Sequence, residues 1–424
     1  MPETWPTATI GAVATVAISG VDKHIVAGEV SVRLCNYLDV YRNGRLTRDI
    51  EYAPGTATPG EVARFQLQEG DVLITKDSET PDDIGVPAVV VDDLPNTICG
   101  YHLALIRPKP GVDPVFLAYV FESDFAKRHF LRTANGVTRF GIGMGAISSL
   151  AVPLPPLAEQ VSIGRLLEAV DANITDVRSM QAKAVELKRG LSQELLSRGT
   201  RHEAMKDTVI GPIPQSWDVV ALNEVVREFQ YGLSVAMQSK GSLPILRMGN
   251  IQRGHVTFDD LKYVTLPAAV TDRYLLRRGD VLFNRTNSQE HVGKIGVYRD
   301  DRAAVFASYL IRLHSDAAVV DPYFLGQVLH SYPAQCRIKR YATPGVQQVN
   351  INATNLGRVL IPLPVRDSGL DEQRAIANTL EQADTRIRSY DPTLEALTAL
   401  KRSLMHDLLS APVRPLQLQG SAKA

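Results

Sequence analysis

Arginine, asparagine and glutamine gather in a few short stretches of this 424-residue chain. The first stretch holds Tyr37, Arg42, Asn43 and Arg45, which read as a polar turn after a strand-like run. The second follows Val72-Leu73-Ile74 and holds Lys76, Ser78 and Thr80. The third, Thr138-Arg139, lies in a glycine-rich segment at 136–145. Three more stretches follow: Asn250, Gln252 and Arg253; then Asn284, Arg285 and Asn287; then Gln347 and Gln348 with Asn350. Forked donors and amides are the groups that read base edges, arginine on guanine and asparagine or glutamine on adenine. The same residue types also form turns and caps. Each cluster as a whole therefore carries more weight than any one member. Arg42, Arg285 and Gln347 are the strongest single candidates, with Glu290 as an alternative local partner for Arg285.

Other chemistries find no support. No G-x-x-x-x-G-K-[ST] loop is present, and no Asn-Pro-Pro-aromatic tetrapeptide of the kind amino-methyltransferases carry. The glycines at 141, 143 and 145 do not follow the dinucleotide-binding pattern. The nine histidines are scattered, without metal-ligand spacing, so neither a cofactor nor a metal is expected. Asp71 and Asp280 stand in Gly-Asp-Val-Leu, where a turn into a strand is the simpler reading than a nuclease carboxylate. Three distant cysteines, Cys35, Cys99 and Cys336, form no disulfide framework and suit a reducing, cytoplasmic setting. No apolar run approaches the roughly 18 residues of a membrane span. The first five residues lack the basic start of a secretory signal.

Apolar residues make up 45% of the chain, as in ordinary globular proteins. Formal net charge is zero. The average conceals an asymmetry: residues 1–150 carry 13 basic against 18 acidic side chains, and residues 201–365 carry 19 against 14. A solitary DNA binder usually has a basic footprint. If this chain binds DNA, a partner must supply much of the phosphate contact.

The elements that must position these clusters are disclosed by an internal repeat. Trp5 matches Trp217, and Arg33 and Asn36 match Arg247 and Asn250. Gly70-Asp71-Val72-Leu73 matches Gly279-Asp280-Val281-Leu282, Gly136-Val137 matches Gly345-Val346, and Pro153-Leu154-Pro155 matches Pro362-Leu363-Pro364. Glu159-Gln160, Leu187-Lys188-Arg189 and Leu195-Leu196-Ser197 then match Glu372-Gln373, Leu400-Lys401-Arg402 and Leu408-Leu409-Ser410. The order never changes. A period this long describes a whole domain plus a helix rather than a solenoid unit.

Within each unit, short β-rich runs such as 86–91, 103–106, 294–298 and 310–313 are punctuated by Gly, Pro, Asn and Asp. Amphipathic helices are predicted at 114–130 and 322–338, each opening after Asp-Pro. The segment at 10–18 reads as a core element. The second part of each unit is helical. Ile163, Leu167, Val170, Ile174, Val177, Ala184, Leu187, Leu191 and Leu195 form a stripe near a 3.5-residue period. Their nine counterparts from Ile376 to Leu408 are again apolar. Asp391-Pro392 predicts a kink or short break in the second helix.

These features resemble the specificity subunit of type I restriction–modification systems. The resemblance rests on Val152-Pro153-Leu154-Pro155-Pro156-Leu157-Ala158-Glu159-Gln160, on Ile361-Pro362-Leu363-Pro364 ahead of Asp371-Glu372-Gln373-Arg374, on Leu400-Lys401-Arg402-Ser403-Leu404-Met405, and on Gly-Pro-Ile-Pro-x-x-Trp at 211–217. It covers nearly the whole chain. Val161 stands where that family more often has Arg, and residues 367–370 lengthen the second junction. The resemblance implies an α+β fold with two similar target-recognition domains separated by two long antiparallel helices. The expected boundaries are 1–155 and 201–364 for the recognition domains, 156–200 and 365–411 for the spacer helices, and 412–424 for a tail. It further implies a non-catalytic, sequence-specific DNA-binding subunit of the complex. Each domain would read half of a bipartite double-stranded target. The helices would set the gap, a helix of about 40 residues being roughly 60 Å long, and dock two methyltransferase (modification) subunits. Glu159, Gln160, Glu372 and Gln373, at the helix starts, are assigned to partner binding. Restriction (endonuclease/translocase) subunits are admitted as further partners; no membrane is. The competing reading is a helical scaffold that binds proteins without DNA specificity, and an enzyme acting alone is the third.

Overall fold

The computed structural model describes residues 5–345, 348–365 and 369–409. Gln347 and the expected tail at 412–424 lie outside the described residues. The chain divides into two compact units. One is built from the described residues up to Arg178 with those from Pro392 onward, and the other runs from Ser179 to Asp391. Each combines an α+β domain with portions of both long helical segments. No helix among the described residues is long and apolar enough to cross a membrane.

In the first unit a five-stranded sheet has the order Ala14–Ile18, Leu103–Pro108, Val72–Thr75, Pro87–Val90, Arg45–Leu46. Its central strand, Val72–Thr75, is buried at every residue. A second, three-stranded sheet places Val30–Cys35 between Ala53–Ala57 and Thr97–Cys99. The other unit repeats the plan: Val226–Tyr231, Leu310–Ser315, Val281–Asn284, Ile295–Val297, Gly254–Val256, Ile251–Gln252. Its three-stranded sheet places Leu243–Leu246 between Lys262–Val264 and Val305–Phe306.

Gly-Asp-Val-Leu opens the central strand of each large sheet, and both aspartates have structural work. Asp71 accepts a bidentate pair of bonds from Arg107 and a bond from the Gln68 N–H, at 2.7, 2.7 and 2.8 Å. Asp280 accepts from Arg312 at 3.0 Å and from the Arg277 N–H at 2.9 Å. Gly70 and Gly279 take φ of 87° and 91°, a backbone state that side chains disfavour. The turn reading of this motif therefore holds on geometry.

The single helices predicted at 114–130 and 322–338 are corrected to pairs: Pro114–Glu122 with Asp124–Thr133, and Pro322–His330 with Tyr332–Lys339. Ser123 and Ser331 lie at the breaks in extended conformation. Each folds its hydroxyl back onto a Val carbonyl, at 2.6 Å in both cases, and Ser123 also accepts from the Ala126 N–H. This side-chain competition with the backbone ends one helix and opens the next. The stretch after Asn36 is likewise not a turn. Tyr37–Arg42 is a short helix begun by a one-sided cap, the Asp39 carboxylate accepting from the Asn36 N–H at 2.8 Å.

Leu157–Arg198 is one helix of 42 residues. It stops at Gly199, whose φ is 68°, the usual left-handed stop. The distal segment is two helices, Gly369–Arg388 and Tyr390–Leu409. Pro392 falls in the first turn of the latter, where its missing N–H removes no helical bond. In the first unit Ile163 and Leu167 share a core with Met405, Leu408 and Leu409, so the start of one helix packs on the end of the other. In the second unit Leu196, with Leu191 and Leu195, packs on Ile376, Ala377 and Leu380, again antiparallel. Two positions of the predicted stripe depart from this. Leu187 is 65% exposed and its counterpart Leu400 47%.

Candidate nucleic-acid interface

The central strand of each large sheet ends in a cation. Lys76 donates its N–H to the His102 carbonyl, and the Ile142 N–H donates to the Lys76 carbonyl, at 2.9 and 2.8 Å. Arg285 occupies the same frame: it donates to the Tyr309 carbonyl and accepts from the Ile351 N–H, at 3.0 and 2.9 Å. Each cation also lies over a tyrosine ring. Lys76 is 4.9 Å from the Tyr101 centroid, and the Arg285 guanidinium carbon is 5.1 Å from that of Tyr231. The contacts are of a kind worth about 0.5–1 kcal/mol when exposed.

Beyond the cation the chain continues as a short strand that pairs with the glycine-rich segment. Asp77–Ser78 pairs with Phe140–Gly141, and Thr286–Asn287 pairs with Val349–Asn350. Two predicted clusters in each half are thereby brought together. In the first, Lys76, His102 and Arg139 converge on Asp77 at 2.7, 2.6 and 2.9 Å. Burial alone would raise the Asp77 carboxyl, but Lys76, with His102 and Arg139, holds it below its ordinary value. His102 is shifted down, chiefly by burial and against the pull of Asp77. The three basic groups share one carboxylate, and Arg139 remains largely exposed. In the second half, among the described residues, no carboxylate pairs with Arg285, Glu290 included, and its side-chain hydrogen bond there is long, 3.5 Å to the Ser308 carbonyl.

The first-half helix Tyr37–Arg42 reaches the same loop. Tyr37 stacks on Tyr41 at 5.5 Å, the Tyr41 hydroxyl donates to Asp83 at 3.1 Å, and Thr80 donates to the other Asp83 oxygen at 2.7 Å. Arg42 is exposed there. Asn43 ends the helix, its amide donating to the Asp39 carbonyl at 2.8 Å. Arg45 turns to Glu168 on the long helix instead.

Several predicted contacts are corrected to structural roles. Asn250 is 2% exposed and closes a loop, accepting from the Arg247 N–H and donating to the Asp259 carbonyl. Asn284 is fully buried in the central strand, and Ser78 is nearly so. Asn287 is half-buried and accepts from the Ser288 N–H at 2.9 Å. Arg253 is exposed at a tight hairpin turn, φ 48°, facing Asp391 at 4.0 Å rather than the Arg285 cluster. Gln348 is exposed beside Val349–Asn350.

Three of the four helix-start residues assigned to partners are also internal. Gln160 accepts from the Asp113 N–H and donates to the Gly111 and Pro155 carbonyls, at 2.9, 3.2 and 2.8 Å. Gln373 does the same with Asp321, Val319 and Pro364, at 2.7, 3.1 and 3.0 Å. Both are essentially inaccessible, with both amide donors used. Glu372 is 4% exposed and receives the chain leaving the long helix, through the Thr200 N–H and hydroxyl at 2.9 and 3.1 Å. Glu159 is half-buried, with Oε2 enclosed and unpartnered.

The aromatic shelves Tyr101 and Tyr231, and His102, escaped the sequence reading. Tyr231 lies on the strand Val226–Tyr231, far in sequence from Arg285, and no local pattern links them. Among the described residues, one group of histidine and carboxylates is close enough to share a cation: His255, Glu381 and Asp384. It is an ion-pair network already balanced by the protein. Lys188 is 2.6 Å from Asp384, and Arg299 and Arg388 are each 2.8 Å from Glu381.

Residues 39–187 match the family described as type I restriction modification DNA specificity domain. The chain is 31% identical over 217 residues to the putative type I restriction enzyme MjaX specificity subunit of Methanocaldococcus jannaschii, a match spanning half of each chain. It is 22% identical over 419 residues to the EcoKI specificity subunit of Escherichia coli K12, covering 96% of this chain and 88% of the relative. The type I restriction-modification S subunit from M. genitalium has the same fold, with TM-score 0.59, 14% identity and 96% of each chain covered. Residues 39–187 are therefore similar to the type I restriction modification DNA specificity domain, and the chain has the fold of a solved type I S subunit.

Proposed function

We propose that this chain is the DNA-reading subunit of a type I restriction–modification complex and that each recognition domain reads one half of a bipartite duplex target. One observation carries the reading. The two halves place the end of a central strand and a glycine-rich segment side by side in matching register, yet the side chains there differ: Lys76, Asp77 and Arg139 in one, Arg285, Thr286 and Gln348 in the other. A shared frame with divergent polar groups suits two readers of different sequences.

The helices act as the spacer between readers and as the dock for two modification subunits, which supply the methyl-transfer chemistry and much of the phosphate contact missing from a neutral chain. Leu187 and Leu400, exposed at equivalent positions of the two helical segments, support such docking at two sites. The chain contributes specificity and no catalytic group of its own.

The test is selection from a random duplex pool, using the full chain assembled with its modification subunits. Enrichment of two short motifs at a fixed gap is the expected result. Absence of any enriched sequence favours the protein-binding scaffold instead. Turnover of DNA by the isolated chain would overturn the non-catalytic assignment.

A further inference from the structure

We infer that Arg285, placed over the Tyr231 ring, reads a guanine in the half-site of the second recognition domain. This rests on the reading above and gives that site a base. Arg285 is partly enclosed, and its Nε is buried without a partner. No carboxylate pairs with it among the described residues, in contrast to Arg107, Arg139, Arg247, Arg299, Arg302 and Arg312, each of which has one. A half-desolvated guanidinium without a counter-charge is costly to keep. An acceptor arriving with a ligand would offset that cost.

The arrangement around Arg285 fits a base edge. Tyr231 is 40% exposed, and the guanidinium carbon lies 5.1 Å from the centroid of its ring. The Tyr231 hydroxyl accepts from the Ala353 N–H at 3.0 Å, which fixes the shelf. The ring contact restricts the side chain before DNA arrives, so less freedom is lost on binding. Guanine presents two adjacent acceptors, O6 and N7, in the major groove, and a forked arginine meets both.

The twofold repeat argues against a phosphate contact. A backbone contact carries no sequence information and can be kept in both halves. The equivalent position in the first half is Lys76, a point charge paired at 2.7 Å with an Asp77 that it shares with Arg139. The frame is retained while the donor geometry and the carboxylate pairing change, as expected where the two halves must prefer different bases.

The experiment repeats the duplex selection with the assembled complex carrying Arg285→Ala or Arg285→Lys, alongside the unaltered chain. Both variants should lose preference for guanine at one position of one half-site, by roughly 5- to 150-fold, the span of one bidentate contact. The other half-site should be unchanged, which also certifies that the variant complex is assembled. Arg285→Lys should keep the salt dependence of binding. Equal weakening on every sequence, with a shallower salt slope for Arg285→Ala, would mean a phosphate contact and overturn the inference. So would an unaltered motif. If the unaltered chain enriches no motif, the failure belongs to the proposed function and not to Arg285.

Discussion

Gln160 and Gln373 each tie three main-chain groups together where a helix cap, a proline-rich junction and a long helix meet. Removing such an amide strands a buried N–H and two carbonyls. Gln160→Leu and Gln373→Leu should each lower stability by about 2–4 kcal/mol, read from denaturant midpoints. Association with modification subunits, measured on the folded fraction, should be unchanged. Equal stability with lost association would restore these glutamines to the interface. His330 offers a second residue-level test. Burial, with Lys188 and His255 nearby and only Asp384 opposing, lowers its pKa to about 4 from 6.5. Between those values the unfolded chain binds one more proton than the folded one, so stability rises with pH there. It is fully present above pH 6.5 and is lost as the pH falls toward 4. The loss should be on the order of 3 kcal/mol in urea unfolding, and His330→Gln should flatten the slope. Asp384 is also held below its ordinary value, by His255 and Lys188 against the opposing effect of burial, but its own loss belongs below this window.

At the scale of elements, each helical segment sends one lysine to an aspartate on the other. Lys188 meets Asp384 at 2.6 Å, where Gln327 from the second α+β domain also donates at 3.2 Å. Lys401 meets Asp171 at 2.8 Å and Glu122 from the first domain at 2.8 Å, while Tyr119 donates to Asp171 at 2.7 Å. Burial and that bond push the Tyr119 hydroxyl well above its usual range. The same device anchors a domain to its helices twice, in different dielectric surroundings. The Asp384 side chain is only 9% exposed, whereas those of Asp171 and Glu122 are 38% and 35% exposed. Lys188→Met leaves a buried carboxylate without its main partner and should cost about 3–5 kcal/mol. Lys401→Met leaves two carboxylates in water's reach and should cost about 1 kcal/mol. Separate unfolding curves for the two variants check the inequality, and equal costs would contradict it.

For the molecule as a whole, the proposed division of labour separates reading from spacing. Inserting one heptad into both helical segments keeps their apolar faces in phase. The tolerated gap between half-sites should lengthen while both half-site sequences stay the same. Duplex selection on the lengthened chain reads both quantities at once. A change in either half-site sequence would show that the helices take part in reading. Exchanging residues 30–150 for the corresponding domain of another specificity subunit should change one half-site only.

The repeat, the long helices and the strand-opening Gly-Asp-Val-Leu turns were legible in the sequence because they rest on local rules: periodicity, glycine conformation, and proline at helix starts. The loop clusters were legible as places, because polar residues at the end of an apolar strand have few other uses. Their membership was not. Asn250 and Asn284 look like surface amides in sequence, yet one closes a loop and the other lies within a strand buried on both faces. The glutamines at the helix starts look like partner contacts, yet they bond across some fifty residues to a distant helix cap. Local pattern fixes where an element begins and which face is apolar. Only the tertiary structure decided which polar groups were consumed inside the chain and which were left for a ligand. Those choices depend on partners such as Tyr231 for Arg285 and Asp77 for Arg139, brought close by sheet register rather than by sequence spacing.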